Sequence, residues 1–373
     1  MSTKNILLAT RPIVPPWDEA SKNFAYFLAR SVTNANITLL TTKESVTGLP
    51  DTVTQFPLYE SSQLGFSAKL ALLRYLRDHR RDFDITHYLF TPARRNALII
   101  KNLARPTKGK TIQTVATLRE DLYAPQELKA LLFADAIVTY TETSKNRLKE
   151  LGCKNVHRIY PGIDLSLYAP KNKDQDLLDE FHFTKDHFIA MYPGEYSRLG
   201  ATDMIVESLM HHFNTRPESN LRFIFACRIK NEADVKKKRE IYEALKLADL
   251  LSKIAFSDTS FDMPALYNIA DVVIFPVGNM VGKFDIPLVI IEAYACGKPV
   301  ILSDLAEFEE FSNEDISVTI PRDSNESLLK ALHTLEDDRE KRETLGKNAR
   351  MFVEKNFDLK TTAREYEALY QSL

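Results

Sequence analysis

Short apolar segments alternate with amphipathic segments along the whole length of the chain, and this alternation limits the folds open to it. A run of four to eight apolar residues predicts a buried strand, whereas apolar residues at three- and four-residue spacing predict a helix that packs on a sheet. Regular alternation of the two is typical of βαβ units, in which helices cover both faces of a parallel sheet. The sequence therefore predicts an α/β fold.

The predicted strands form two series of six. They span residues 5–10, 37–42, 84–89, 111–117, 136–141 and 156–160 in the first half, and 188–193, 222–226, 254–256, 272–276, 300–302 and 318–321 in the second. Amphipathic segments at 20–32 and 67–80 are predicted helices. We expect two doubly wound domains, because one core rarely grows past about 250–300 residues and the chain has 373.

The domain boundary is predicted between residues 161 and 185, where an irregular segment is followed by a charged one. The predicted domains are 1–168 and 169–355. Residues 356–373 have Phe357, Tyr366, Leu369 and Tyr370 at helical spacing. This tail is either a terminal helix of the second domain or a helix that crosses back to the first.

Charge and cysteine content exclude several classes of protein. The 49 basic and 51 acidic residues nearly cancel, so we expect no nucleic-acid partner. The first apolar run is too short for a signal peptide, and no run approaches the 20 or so apolar residues of a membrane span. Three widely spaced cysteines suggest neither a disulfide framework nor a zinc site. The expected location is the cytoplasm.

The segment 275–304 has the most informative sequence. A helix is predicted to begin at Pro287, since proline is favourable in a first helical turn, and to end at Gly297. Asp285 is expected to cap this helix or to complement its dipole. Glu292 lies within an otherwise apolar run, where a carboxylate is costly unless it is paired or used. From the pattern alone, a structural and a functional role for Glu292 remain open.

Residues 284–300, Phe-Asp-Ile-Pro-Leu-Val-Ile-Ile-Glu-Ala-Tyr-Ala-Cys-Gly-Lys-Pro-Val, resemble the signature of retaining glycosyltransferase family 4. That signature is Glu, seven residues, Glu, then Ala-x-Ala-x-Gly-x-Pro-Val. Segments 134–144, 160–164 and 266–276 resemble further parts of the family in the same order. The resemblance implies the GT-B architecture, in which two Rossmann-like domains have parallel sheets that face each other across a cleft.

The resemblance implies that Glu292 binds the ribose hydroxyls of a nucleotide-sugar donor. Phe284 stands where the family has its first glutamate, and Asp285 or Lys283 are the candidates to replace it. Arg198 is expected to neutralise the donor diphosphate, with Arg228 and Lys230 in place of a missing lysine. The donor-binding set is Gly194, Arg198, Arg228, Lys230, Lys283, Phe284, Ile286, Leu288, Val289 and Glu292. For Arg228, solvated surface charge is the alternative.

Glycine is scarce for a protein of this kind, at 11 residues. The family's glycine-rich loops correspond here to segments 17–23, 226–230 and 283–287, which contain charged, aromatic and proline residues. We therefore expect the phosphate contacts to come from arginine and lysine side chains more than from backbone amides.

The resemblance assigns the acceptor to the first domain. The acceptor-binding set is Trp17, Asp18, Lys22, Asn23, Arg94 and Arg119. Packing is the alternative role for Trp17, the sole tryptophan. His87 joins Arg198, Asp285 and Glu292 in the predicted catalytic set, with a structural role as its alternative.

A basic cluster follows the predicted helix that begins near residue 67. Its members are Arg74, Arg77, His79, Arg80 and Arg81. Peripheral contact of the first domain with a membrane is one interpretation. An ordinary amphipathic helix packed on the sheet is the other.

The function implied by the resemblance is transfer of a hexose from a UDP- or GDP-sugar to a glycan, lipid-linked or small-molecule acceptor, with retention of configuration. Neither a metal nor another cofactor is expected. A sugar-nucleotide epimerase, a phosphorylase, a two-lobed solute-binding protein and a non-catalytic nucleotide-sugar-binding member are the alternatives.

Overall fold

The computed structural model describes residues 3–15, 20–90, 93–258 and 262–373. Two compact units divide the chain. Unit 1 comprises residues 1–164, 282–286 and 357–373, and unit 2 comprises 165–281 and 287–356. The transition after Asp164 lies four residues before the boundary at 168/169 that the sequence suggests.

Unit 1 is built on a parallel sheet of seven strands among the described residues. They are β1 (Lys4–Ile13), β2 (Ala35–Thr42), β3 (Val53–Tyr59), β4 (Ile85–Tyr88), β5 (Lys110–Val115), β6 (Ala136–Thr139) and β7 (Val156–Arg158). The strand order is β3-β2-β1-β4-β5-β6-β7. Strand connections therefore run outward in both directions from the β1–β4 pair, as in a doubly wound sheet.

Five helices accompany this sheet in the described part of the chain before residue 164. They are α1 (Ala20–Ser31), α2 (Phe66–Asp78), α3 (Arg94–Ile99), α4 (Pro125–Ala130) and α5 (Glu142–Glu150), with a π-helical turn at Ile100–Ala104 directly after α3. Helix α2 buries Ala68, Tyr75 and Leu76 in the core beside the sheet. Helix α2 therefore packs on the sheet by one face, and contact of the first domain with a membrane stays a prediction.

Strand β3 is absent from the prediction. Its sequence contains Pro57, which has no N–H to donate to a neighbouring strand. Proline is tolerated because β3 is at the edge of the sheet and pairs with β2 alone. Five of its seven residues are exposed or partly exposed, so it lacks the continuous buried apolar run that marks the central strands.

Unit 2 is built on a parallel sheet of six strands among the described residues. They are β8 (Phe188–Glu195), β9 (Leu221–Arg228), β10 (Ile254–Phe256), β11 (Val272–Phe275), β12 (Val300–Ser303) and β13 (Ser317–Ile320). The order is β10-β9-β8-β11-β12-β13. The predicted fold class, two doubly wound α/β domains with parallel sheets, is confirmed.

Seven helices lie in the described part of unit 2, and several of them begin at a polar side chain that caps them. In the described residues they are α6 (Gln175–Glu180), α7 (Thr202–Thr215), α8 (Glu232–Leu247), α9 (Met263–Ile269), α10 (Leu288–Ala295), α11 (Asn325–Asp337) and α12 (Arg339–Asn356). Asn231 accepts a hydrogen bond from the backbone N–H of Asp234, and Ser324 does the same for Ser327. Each cap satisfies an N–H that has no partner within its helix.

Helix α13 (Leu359–Ser372) follows unit 2 in the chain but belongs to unit 1. Its tyrosines Tyr366 and Tyr370 are fully buried, and their hydroxyl groups reach Thr114 and His87. This is the crossing-back arrangement, one of the two that the sequence left open.

No helix that the described residues form combines the length and the apolar character needed to cross a membrane.

We predict that Gly346→Ala lowers the free energy of unfolding of unit 2 by about 1–3 kcal/mol. A methyl group at this position of α12 would lie 2.1 Å from the carbonyl oxygen of Gly297, in the turn after α10. Gly65→Ala is the matched control, since no described heavy atom comes within 4 Å of a methyl group there. Urea unfolding followed by circular dichroism compares them. Equal midpoints for both variants would contradict the close approach.

Candidate functional site

The candidate site of unit 2 lies where the strand connections change direction. Strands β8 and β11 are neighbours, and the chain continues outward from them on opposite sides, to β9 and to β12. Doubly wound sheets bind ligands at the carboxyl ends of the strands at such a point, because the diverging connections leave a crevice there. The segments after β8 and after β11 are therefore the first to consider.

These two segments are joined by hydrogen bonds. The Arg198 guanidinium donates to the carbonyl oxygen of Val281 at 3.0 Å, and the backbone N–H of Gly278 donates to the carbonyl oxygen of Leu199 at 3.0 Å. The Arg198 side chain is exposed. The carboxyl edge of the sheet thus holds an exposed arginine at the switch point, and a phosphate contact by Arg198 stays a prediction.

Gly194 lies near the end of β8 and must be glycine for steric reasons. A Cβ atom there would lie 2.2 Å from Cζ of the Tyr192 ring. The residue is partly exposed, so its backbone borders the crevice.

The two cations at the end of β9 differ in their partners. Lys230 forms an ion pair with the buried Glu195 carboxylate at 2.8 Å, so its charge is largely balanced within unit 2. Arg228 is exposed, and its positive charge acts to lower the pKa of Glu292. Of the two, Arg228 is the better placed to face an anionic ligand beside Glu292.

Glu292 is the fifth residue of α10, the helix that follows β11. Its carboxylate accepts a hydrogen bond from the Tyr267 hydroxyl at 3.0 Å and another from the Tyr168 hydroxyl. Burial raises the pKa of Glu292 to about 7, and the two tyrosines and Arg228 oppose that shift. A partly exposed carboxylate with a strongly raised pKa is typical of a binding or catalytic position.

Helix α10 begins one residue later than predicted, with Pro287 as its N-cap and no side-chain cap. Leu288 and Val289 are partly exposed in its first turn, while Ile286 is fully buried. Gly297 has a φ of +69° just after the helix, as expected of a glycine that ends one.

The prediction that Asp285 caps α10 is wrong. Residues 282–286 are part of unit 1, where the Asp285 backbone N–H donates to the carbonyl oxygen of Ala116 at 2.9 Å. Its carboxylate accepts from the Ser144 hydroxyl at 2.5 Å and from the Leu118 N–H at 3.2 Å. Ser144 is the third residue of α5, so the negative charge lies at the N-terminus of that helix, where the helix dipole favours it.

Phe284 and Lys283 belong to the same segment of unit 1. The Phe284 ring lies 5.7 Å from the ring of Tyr140, which is buried at the end of β6. An aromatic side chain therefore packs where the resembling family carries a carboxylate. Lys283 is partly exposed beside it.

The environment of His87 favours the structural role that the sequence left open for it. The residue is fully buried in β4, with Nδ1 2.9 Å from the Tyr370 hydroxyl and Nε2 2.7 Å from the Thr114 hydroxyl. Burial lowers its pKa to about 3, which keeps the ring neutral at physiological pH. With both nitrogens engaged inside unit 1, His87 stabilises the packing of α13.

The predicted acceptor residues that the structure describes lie in three different segments of unit 1. Lys22 is buried and Asn23 partly exposed in α1, while Trp17 and Asp18 lie outside the described residues. Arg94 forms an ion pair with Glu127. Arg119 forms a two-point ion pair with Asp121 at 2.8 Å.

Tyr168 and Tyr267 are functional candidates that sequence reasoning missed. Both donate to Glu292, yet they precede it by 124 and 25 residues. A tyrosine in an apolar helix such as α9 is predicted to be a core residue. The sequence pattern does not indicate which group its hydroxyl contacts. The one clue in the sequence is Glu292 itself, because a carboxylate within an apolar run needs hydrogen-bond donors nearby.

Two family models match the chain. Residues 28–167 match "Glycosyltransferase Family 4", and residues 182–352 match "Glycosyl transferases group 1". Neither match alone covers half of the chain. The region that matches Family 4 includes α5 and Ser144, and the region that matches group 1 includes Arg198, Arg228 and Glu292.

Individual proteins are similar to parts of the chain. The chain is 22% identical over 298 residues to D-inositol 3-phosphate glycosyltransferase of Kineococcus radiotolerans, covering 74% of this chain and 63% of that protein. It is 27% identical over 175 residues to the lipopolysaccharide core biosynthesis mannosyltransferase LpsB of Rhizobium meliloti, covering 46% and 48%. The chain thus spans about half to just under two thirds of these relatives.

A solved structure supports the GT-B architecture. HepE of Anabaena, determined in complex with UDP, matches with a TM-score of 0.78 at 15% identity, and the match covers 100% of both chains.

We predict that Glu292→Gln raises the melting temperature at pH 8 and changes it little at pH 4. The Glu292 pKa rises from its ordinary value of 4.5 to about 7 on folding, so its contribution to stability is present below pH 4.5 and is lost as the pH rises through 7. Ionisation in the folded chain then costs up to about 3 kcal/mol, which a neutral amide avoids. Differential scanning fluorimetry from pH 4 to 9 measures the difference. Glu314→Gln, at an exposed position, is the control, and a pH-independent difference for Glu292→Gln would contradict the raised pKa.

We predict that Asp285→Ala and Ser144→Ala are not additive. Each single change removes the same charge-assisted hydrogen bond, so the double variant should be more stable than the sum of the two losses predicts, by about 1–2 kcal/mol. A double-mutant cycle based on urea unfolding measures this coupling energy. Additive losses would show that the Ser144–Asp285 contact does not hold residues 282–286 in unit 1.

Proposed function

We propose that this protein is a glycosyltransferase that moves a hexose from a nucleotide-diphosphate sugar to an acceptor, with retention of configuration and without a metal. The observation that carries the proposal is the environment of Glu292. A carboxylate in the middle of the helix after β11, with a raised pKa and an arginine nearby, fits a ligand that carries both hydroxyl groups and phosphates.

The donor nucleotide would bind at the carboxyl edge of the sheet in the region that matches group 1. Glu292 accepts hydrogen bonds from the ribose hydroxyls, for which an ionised carboxylate is the strongest acceptor in a protein. Arg198 and Arg228 bind the diphosphate, and the unpaired N–H groups at the start of α10 add to its stabilisation. Gly194, Leu288 and Val289 border this site, with Lys230 as a further cation whose charge is shared with Glu195.

A uridine nucleotide is the preferred donor in this proposal, with a guanosine nucleotide as the alternative. HepE shares the fold over its full length and was determined in complex with UDP. The transferred sugar would be set by residues 283–286, where Lys283 and Phe284 replace the acidic side chain of the resembling family.

In the proposed reaction, the bond between the anomeric carbon and the diphosphate oxygen breaks while the acceptor oxygen bonds to the same face of that carbon. The acceptor proton passes to the leaving diphosphate, so no enzyme nucleophile is needed. The contribution of Arg198 and Arg228 is electrostatic, because they stabilise the negative charge that develops on the leaving group.

The acceptor would bind to the region that matches Family 4. Lys22, Asn23, Arg94 and Arg119 remain the candidates among the described residues, and Trp17 and Asp18 are candidates outside them. A glycan, a lipid-linked saccharide or a small molecule all offer the nucleophilic hydroxyl that the reaction requires.

A second candidate function is binding of a nucleotide sugar without turnover. It is favoured by Phe284 at the position of the first glutamate and by Asp285, whose carboxylate is engaged by Ser144 and Leu118. No carboxylate in residues 282–286 is then left to contact the sugar.

We predict that Glu292→Ala abolishes transfer and that Arg198→Ala lowers kcat/KM by about 100-fold or more, the usual effect of removing one charged group that stabilises a leaving group. A panel of UDP- and GDP-sugars, assayed for binding by calorimetry and for release of the nucleotide, measures both. Glu314→Ala and Arg239→Ala, exposed residues of unit 2, are the matched controls.

The panel also distinguishes the two candidate functions. Binding of a nucleotide sugar without release of the nucleotide would favour the non-catalytic protein. Full activity of Glu292→Ala would contradict the assignment of the site.

A further inference from the structure

Helix α3 and the π-helical turn after it expose apolar side chains to an unusual extent. Leu98, Ile99 and Leu103 have exposed fractions of 53%, 40% and 56%. The opposite side of the same segment is fixed in the core of unit 1, where Ala97, Ile100 and Ala104 are buried. The side chains of Leu98, Ile99 and Leu103 therefore cannot turn inward, because buried residues already fill the core side of this segment. We call Leu98, Ile99 and Leu103, with the neighbouring cations Arg95 and Lys101, the α3 surface.

The α3 surface lies in a part of the chain with a strongly unbalanced charge. No aspartate or glutamate occurs between Asp84 and Glu120, while seven arginines and lysines do. Arg94 and Arg105 form ion pairs with Glu127 and Asp135. Four further cations make no ion pair with any described residue: Arg95, Lys101, Lys108 and Lys110. Positive charge and apolar area thus occur on the same segment without an acidic partner.

The start of α2 adds to this surface. Phe66 has an exposed fraction of 84%, and Lys69 is exposed one turn later. Helix α2 packs against the π-helical turn, and Ala68 shares a core cluster with Ile100. An aromatic ring and a further cation therefore belong to the same part of unit 1.

We propose that the α3 surface docks unit 1 onto a bilayer that contains anionic lipids. Exposed apolar side chains interleaved with lysine and arginine match the boundary between acyl chains and negatively charged headgroups. A second copy of the chain fits poorly, because a two-fold contact would place the same positively charged surface on both sides of the interface. The proposal is independent of the proposed transfer reaction, since it requires neither nucleotide nor turnover.

This surface differs from the basic cluster that the sequence suggested. In that cluster Arg77 pairs with Asp78, and His79 stacks on the ring of Tyr75 at 4.0 Å. The ring of Phe56 also lies beside Tyr75. Arg74 and Arg81 are exposed, but Phe56 beside the cluster, at 37%, is less exposed than Leu98, Ile99 or Leu103.

Co-sedimentation with vesicles tests the proposal. The full chain is mixed with vesicles of phosphatidylcholine alone or with 30% phosphatidylglycerol, without nucleotide. Binding to the anionic vesicles that is at least tenfold stronger supports the proposal. Equal binding to both kinds of vesicle, or binding to neither, would overturn it.

Paired variants locate the surface. Leu98→Ser with Leu103→Ser, and separately Arg95→Glu with Lys101→Glu, should each weaken binding at least tenfold, since they remove apolar area and charge respectively. The apolar control is Leu247→Ser, 89% exposed in unit 2, and the charge control is Arg74→Glu with Arg81→Glu. Loss of binding in the charge control with none in Arg95→Glu/Lys101→Glu would assign docking to the other cluster and overturn the proposal.

Two further measurements exclude trivial results. All substituted side chains are exposed, so melting temperatures should stay within about 2 °C of the unmodified chain. Light scattering after size exclusion reports oligomeric state. A dimer of the unmodified chain that Leu98→Ser/Leu103→Ser dissociates would show that a second copy covers the surface, and would overturn the proposal. Donor binding by calorimetry should be unchanged in every one of these variants.

Discussion

In a parallel sheet all strands end at the same edge, and in a doubly wound sheet the connections diverge from one pair of neighbouring strands. The whole candidate site depends on this constraint. In unit 2 the pair is β8 and β11, and the divergence leaves their following segments without a covering helix between them. Arg198 follows one strand, α10 follows the other, and Glu292 is brought to the same edge by α10. The strand order brings both segments to this edge, so neither Arg198 nor Glu292 depends on a contact with the other for its position.

Burial of Glu292 is the cost of this arrangement. The helix that carries it is otherwise apolar and packs into unit 2, so its carboxylate loses much of its hydration. The hydroxyl groups of Tyr168 and Tyr267 replace part of that hydration. With an ionised carboxylate at this position, the fold is less stable than it would be with a neutral side chain of the same shape. A carboxylate is retained at such a cost where a ligand makes use of it, as in many binding sites.

Features that depend on residues adjacent in the chain could be predicted from the sequence. The central strands, helix α1 and Gly297 follow from apolar runs and from local backbone preference, and the structure has them within a few residues. Strand β3 could not be found in this way, since Pro57 and its exposed positions mask the pattern. Features that join distant residues were also missed or misjudged. His87 meets Tyr370 across 283 residues, and Asp285 meets Ser144 across 141. Sequence spacing indicates which face of an element a side chain occupies, but not what lies opposite that face.

The position of α13 has a consequence for the order in which the chain folds. The helix is encoded after all of unit 2, yet its tyrosines fill the interior beside β4 and β5. On the ribosome, residues 1–164 emerge first but lack these tyrosines, so His87 and Thr114 stay without their partners until synthesis has passed through unit 2. The first unit to be synthesised is therefore the last to be completed, and a fragment ending at residue 164 would expose the apolar surface that α13 covers.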